Sequence, residues 1–394
     1  MNKPIYMDHA ATTPLDPRVL EKMTPYLTDV YGNANSQHAF GRAADRGVDE
    51  ARDTIASLIG AKPSEIYFTS GGTEADNWAL KGIMAAQTKK KHLVVSAIEH
   101  AAMLETAKQL SKAGYEVSCA PVDEFGRVDL DALRALVRED TALVGVMAAN
   151  NEVGTIQPVG EIAAIAHAKG ALMFTDAVQA AGVLELDVRA LGVDLMSASA
   201  HKIYGPKGVG MLYVRNGVKI ENLIAGGHQE RTRRGGTTNV PGVVGFAEAF
   251  RLAAENREAN NAYVTALRDR LIDRVQAEVP DVKLNGHRTL RLPANADFSF
   301  RYIEGESVLF SLDLAGIAVS SGSACSSGSL EPSHVLLAMG LPEELAHGSI
   351  RFTLGKHNTE EEVDYTVESL KAIVARLRDM SPLFSAAGGE GNYV

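Results

Sequence analysis

The 394-residue sequence predicts an α/β fold: a large unit built on a mostly parallel sheet with helices on both faces, then a smaller α+β unit toward the C-terminus. Two observations carry this. From about residue 40 the chain alternates helical runs with short β-branched runs, the punctuation of a parallel sheet whose strands are joined by helices. After a long helical stretch the texture changes to a few strands and one amphipathic helix, which reads as a second domain. With 45% hydrophobic and 22% charged residues, the chain can bury cores for two or three such units.

The elements follow in order. "GRAADRGVDEARDTIASLIG" reads as helix, "EIYFTS" as strand, "TEADNWALKGIMAAQ" as helix and "HLVVSA" as strand. The alternation continues through "MLETAKQLSKAG", "EVSCAPV", "DLDALRALVRED", "ALVGVMAAN", "GEIAAIAHAKG", "LMFTDA", "LMSASA" and "GVGMLYVR". A long helical stretch is expected from roughly Gly242 to Val279, then strands at "ADFSFRY", "GIAVSS" and "SIRFTLG", and an amphipathic helix at "TEEEVDYTVESLKAIVARLRDM". The expected division is a large unit over 16–259, a small unit over 1–15 and 260–384, and a loose tail over 385–394, "SAAGGEGNYV" having no period.

Composition excludes some functions. Thirty-nine basic against 49 acidic residues give a formal charge of −10, which offers no field for nucleic-acid phosphates or anionic lipid. The N-terminus lacks a basic segment followed by an apolar run, and apolar stretches are too short to span a membrane, so a cytoplasmic protein is expected. Two cysteines do not make a disulfide framework. Cys119, in a strand pattern, is expected in the core. Cys325 stands instead in "SSGSACSSGSL", a run with nothing apolar to shelter a thiol. The histidines show no pair three to five residues apart, so no helix-borne zinc pair is expected.

Ligands of such sheets gather at the carboxyl ends of the strands, and three candidates lie there. "FTSGGTEADN" ends a strand and opens a helix at Gly72 and Thr73, where N–H groups and the helix dipole favour an anion, although the same pattern also makes an ordinary turn and cap. In "LMFTDAVQAAG", Asp176 follows an apolar strand with Gln179 three residues on; a buried aspartate demands a cationic partner. "SASAHKIYGPKG" delivers Ser199, His201 and Lys202 into a loop, where a lysine alone is ordinarily a solvated charge. A phosphate cradle, a carboxylate and a lysine at strand ends are together what pyridoxal phosphate requires for its phosphate, ring nitrogen and aldehyde.

With these motifs stand "DHAATTP", "IEHAAML", "NNEVGTIQP", "GGHQERTRRGGTTN", "SSGSACSSGS" and "SIRFTLG". The set, in order from about Tyr6 to Leu377, resembles the cysteine desulfurases of the NifS/IscS group, fold-type I enzymes of the class V aminotransferase family. "GGHQERTRRGGTTN", "YIEGESVL" and "ARLRDMSP" are most similar to the nitrogen-fixation (NifS) type. "GNANSQH" departs from the family pattern, with Ala34 where a proline is frequent.

The resemblance implies a pyridoxal 5'-phosphate enzyme in which Lys202 bonds the cofactor covalently, Asp176 pairs with the ring nitrogen and Gln179 reaches the ring hydroxyl. Gly72, Thr73, Ser199 and His201 match phosphate contacts, and Thr237 matches one supplied by a second subunit, which implies a homodimer. His100 matches the histidine stacked on the ring as acid or base; alone it would read as a surface residue at a helix start. Asn151 and Arg351 match groups that meet the cofactor and the substrate carboxylate, a role for which the guanidinium fork is suited. Cys325, on a serine–glycine tether, matches the thiol that takes sulfur from L-cysteine as a persulfide, leaves L-alanine, and passes the sulfur to a NifU/IscU-like iron–sulfur scaffold. No resident metal is expected; contact between Cys325 and a cluster during transfer is the one metal contact implied. The rival readings are a selenocysteine lyase or aminotransferase of the same class, a protease-like Cys325 paired with His100 or His201, and a non-catalytic sulfur-carrier module.

Overall fold

The computed structural model describes residues 4–321 and 331–386. Its centre is a seven-stranded sheet of β2 (Ile66–Thr69), β3 (His92–Ser96), β4 (Glu116–Ala120), β5 (Thr141–Gly145), β6 (Leu172–Asp176), β7 (Leu195–Ser199) and β8 (Gly210–Val214), in the order β2-β8-β7-β6-β5-β3-β4. Strands β3 to β7 pair in parallel, while β8 runs antiparallel to both β2 and β7. Every residue of β3, β5, β7 and β8 is buried, as expected for strands covered on two sides.

Helices α1 (Pro17–Thr28), α2 (Ala39–Leu58), α3 (Gly72–Ala86), α4 (Ala101–Lys112), α5 (Leu130–Leu136), α6 (Val159–Ala168) and α7 (Val240–Glu255) cover this sheet. One core packs α1, α2, α6 and α7 on one face; the other, around Trp78, Ile83, Met103 and Phe174, packs α3 and α4 on the opposite face. A second sheet, in the order β12-β10-β9, comprises β9 (Val282–Asn285), β10 (Asn295–Phe300) and β12 (Ser349–Thr353) and is antiparallel throughout. Its core includes side chains of α8 (Arg257–Glu278), α9 (Gly305–Leu314) and α12 (Glu360–Asp379), plus Ile5 of the N-terminal strand β1 (Ile5–Tyr6), which pairs in parallel with β11 (Ile317–Ala318), and Met7 just after it. Three short helices, α10 (His334–Ala338), α11 (Glu343–His347) and α13 (Pro382–Ala386), complete the described chain.

One expectation is refined and one needs correction. The helical stretch expected over 242–279 is made of two helices, α7 and α8, broken at Asn256. The Asn256 side-chain amide donates to the Leu252 carbonyl at 2.8 Å, the local competition by which asparagine ends helices. Cys119 is exposed rather than in the core, because β4 is the edge strand of the sheet.

Candidate active site

The carboxyl ends of β2, β3, β5, β6 and β7 open on a cavity of 290 Å³ lined by Gly72, Thr73, His100, Asn151, Asp176, Gln179, Ser199, His201, Lys202 and Arg351. These are all the predicted site residues except two. Thr237 is exposed and does not line the cavity of its own chain, and Cys325 lies outside the described residues.

Each wall follows from local structure. At the start of α3, the first intrahelical bond runs from the Ala75 N–H to the Gly71 carbonyl, so the amides of Gly72, Thr73 and Glu74 are left for another acceptor. A Cβ at Gly72 would stand 2.6 Å from Val178 Cγ2, so only glycine lets this helix start approach the turn after β6. Glu74 accepts from the Ser70 N–H at 2.8 Å and from Arg234 at 2.8 and 2.9 Å, fixing the loop before the helix.

Asp176 ends β6, is 6% exposed, and accepts from the Val178 N–H at 2.8 Å. Burial raises its pKa, while His100 and Lys202 pull it down. The 3-10 turn Ala200–Lys202 directly after β7 carries His201 and Lys202. Lys202 Nζ donates to the carbonyls of Ala10 at 2.5 Å and Ala11 at 2.8 Å, which hold it over the cavity. Burial, with the positive charges of Lys202 and Lys207, depresses His201 to about 4, so its ring is neutral at pH 7. His100 caps α4, accepting the Ala102 N–H on Nδ1, and burial lowers its pKa too.

Opposite Lys202, Arg351 projects from β12 of the second sheet. Its Nη1 donates to the Asn151 carbonyl at 2.8 Å and its Nη2 to Asp8 at 3.0 Å, while its buried Nε has no partner among the described residues. A guanidinium on a cavity wall is suited to a carboxylate. The donor set fits pyridoxal 5'-phosphate: free helix-start amides with Ser199 and His201 for the phosphate, a buried carboxylate for the ring nitrogen, and an amine for the aldehyde. Sequence reading missed the carbonyls of Ala10 and Ala11 and the buried Asp76, all on the cavity wall. The signal for Asp76 was an acidic residue on the otherwise apolar buried face of a helix.

Comparison with known proteins decides the family, because the model for "Aminotransferase class-V" matches residues 5–366. The chain belongs to the class V aminotransferase family. It is 50% identical over 387 residues to the cysteine desulfurase IscS of Clostridium botulinum, covering 98% of each chain. The fold superposes on a solved NifS-like protein with a TM-score of 0.90 at 42% identity, covering 95% of this chain and 100% of that one. A structure titled SspA in complex with cysteine matches with a TM-score of 0.79 at 32% identity, over 90% of this chain and 100% of that one. Its relatives in this class depend on pyridoxal 5'-phosphate, and so does this enzyme.

Proposed function

We propose that the protein is a pyridoxal 5'-phosphate-dependent cysteine desulfurase that moves sulfur from L-cysteine onto Cys325 and from there to an iron–sulfur scaffold of the NifU/IscU kind. The observation that carries this reading is one cavity lined together by Lys202, Asp176, a helix start and Arg351.

In this reading Arg351, held by Asn151 and Asp8, grips the substrate carboxylate and fixes the amino acid relative to Lys202. The bound cofactor supplies an electron sink for negative charge at the substrate Cα. Asp176 keeps the ring nitrogen protonated, Gln179 meets the ring hydroxyl, and Gly72, Thr73, Ser199 and His201 hold the phosphate. Lys202 removes the Cα proton, and neutral His100 handles protons on the face it covers. The Cys325 thiolate then attacks the substrate sulfur: an S–S bond forms, the substrate C–S bond breaks, and L-alanine leaves. L-cysteine and one enzyme thiol thus give L-alanine and one enzyme persulfide.

We propose a homodimer in which Thr237 reaches the partner's phosphate site. Its support is the exposure of Thr237, tied to the phosphate helix of its own chain through the nearby Arg234–Glu74 pair, together with exposed apolar side chains on and between α1 and α2, among them Tyr31 at 69% and Phe40 at 54%. Two variants test the catalytic reading. Lys202→Ala should lose the yellow colour of bound cofactor and all desulfuration. Cys325→Ala should stay coloured and yield no enzyme persulfide; sulfur delivery from that variant would refute the assignment of the nucleophile.

A further inference from the structure

The segment 230–234 is fastened to β2 and to the start of α3 by hydrogen-bonded charges. Glu230, Arg231 and Thr232 have φ angles of 45°, 56° and 69°, three left-handed residues in a row with no glycine among them. L side chains avoid that conformation, and such a run persists only where its surroundings fix it. The buried Glu230 carboxylate accepts from both Nη atoms of Arg52 at 2.9 and 2.8 Å and from the Phe68 N–H of β2 at 2.9 Å. Arg231 Nη2 donates to the Ile66 carbonyl of the same strand at 2.6 Å, with its guanidinium 4.4 Å from the centre of the Tyr67 ring.

At the end of this segment Arg234 lays Nε and Nη2 on the two oxygens of Glu74 at 2.8 and 2.9 Å, with the two side chains 21% and 10% exposed. Glu74 is the acid of the first turn of α3, the turn whose free amides form the proposed phosphate site. It follows Thr73 directly but does not line the cavity. Burial opposes its charge, yet the Arg234 fork and the Ser70 N–H outweigh burial and hold its pKa below the usual carboxylate range, so Glu74 is anionic at pH 7. An acid in a first turn ordinarily gains from the helix dipole. Here the same field has to serve a phosphate, and two anions at one partly buried helix start repel each other with little screening by salt.

We propose that Arg234 is a positioning residue for cofactor binding: paired with Glu74, it cancels the charge of that carboxylate and leaves the field of the α3 start to the cofactor's phosphate. The anchors at Glu230 and Arg231 fix the path that brings Arg234 there, from 160 positions along the chain. This role rests on the assignment of the phosphate to the α3 start in the proposed function.

Cofactor-free protein titrated with pyridoxal 5'-phosphate and, separately, with pyridoxal, which lacks the phosphate, tests the role, with the yellow absorption reporting both affinities. Arg234→Met should weaken the phosphorylated ligand about tenfold and leave pyridoxal within about twofold of wild type. Adding Glu74→Gln to that variant removes the uncovered charge and should bring the phosphorylated ligand back to within about threefold of wild type. Equal losses for both ligands, or no recovery in the double variant, would overturn the proposal, because a displaced loop or a displaced Thr237 is not repaired by removing a charge. Should Arg234→Met not fold, Glu74→Gln alone decides: it leaves the Arg234 charge unbalanced and should tighten pyridoxal 5'-phosphate several-fold with pyridoxal unchanged, and unchanged or weaker binding of the phosphorylated ligand would overturn the idea. Thr73→Val combined with Ser199→Ala separates the two levels of the reading. If that variant keeps the full preference for the phosphorylated ligand, the phosphate does not lie at α3 and the site assignment fails; a narrowed preference there, with an indifferent Arg234→Met, sinks the role of Arg234 alone.

Discussion

Single residues set the protonation states on which the chemistry depends. Burial and Lys202 lower the pKa of His100, so its neutral form persists below the ordinary histidine value of about 6.5. The acid limb of the rate should therefore fall at a pH below about 6.5, and His100→Asn should lower the rate ~10²-fold or more while removing that limb; a limb unchanged in the variant would show that another group titrates. Lys202, Asp176 and the Gly72–Thr73 helix start were legible in the sequence because each lies at or just after the carboxyl end of a strand, and chain order alone puts such residues on one rim. Arg351 was not legible from local pattern: it sits in a strand of the second sheet and came only through resemblance. Asp76 was missed because a buried acid on the apolar face of a helix has no sequence signature of its partner, Ser197, which lies 121 positions away. Cys119 misled because a strand pattern does not tell an edge from a centre.

At the scale of elements, the phosphate-binding end depends on backbones that touch. A Cβ at Gly210 would meet the Ala198 carbonyl at 2.6 Å and Gly71 backbone atoms at 2.8 Å, so β8 has to present glycine where it passes the loop before α3. Gly210→Ala is expected to cost about 1–3 kcal/mol of stability and to weaken cofactor retention, since backbone atoms cannot yield as a side-chain tip can. Urea denaturation with a cofactor titration checks both; normal retention would mean that the loop is not held by this contact. The strand and helix order of the large sheet was readable because periodicity is local. The break at Asn256 was not, because it depends on a side chain competing for one carbonyl within an otherwise helical run.

At the scale of the molecule, the two cores separate as the sequence texture suggests, one set of apolar contacts ending at Leu252 and the other drawing on Ile5, Met7 and residues from Val264 onward. We propose the division 16–259 against 1–15 with 260–384 on that basis. Buried acids where the units meet hold their protons to higher pH than exposed ones. Burial raises Glu152 and Asp297 to about 7, as it raises Glu99 to about 8. Unfolded, these groups ionise near 4, so over pH 4–8 the folded state binds more protons and their contribution to stability falls as pH rises. His9 and His201, depressed to about 4, act in the opposite sense only up to about 6.5. Cofactor-free protein should therefore be less stable at pH 8 than at pH 6.5, and Glu152→Gln should flatten that slope by about 1 kcal/mol in denaturation at the two pH values. The account as a whole is tested most directly by giving cofactor-loaded protein a limited amount of L-cysteine without reductant and measuring free L-alanine alongside the intact mass of the chain. One alanine should appear for each chain that gains one sulfur atom, mapped to the peptide that holds Cys325. Alanine without added sulfur on that peptide, or no alanine at all, would contradict it.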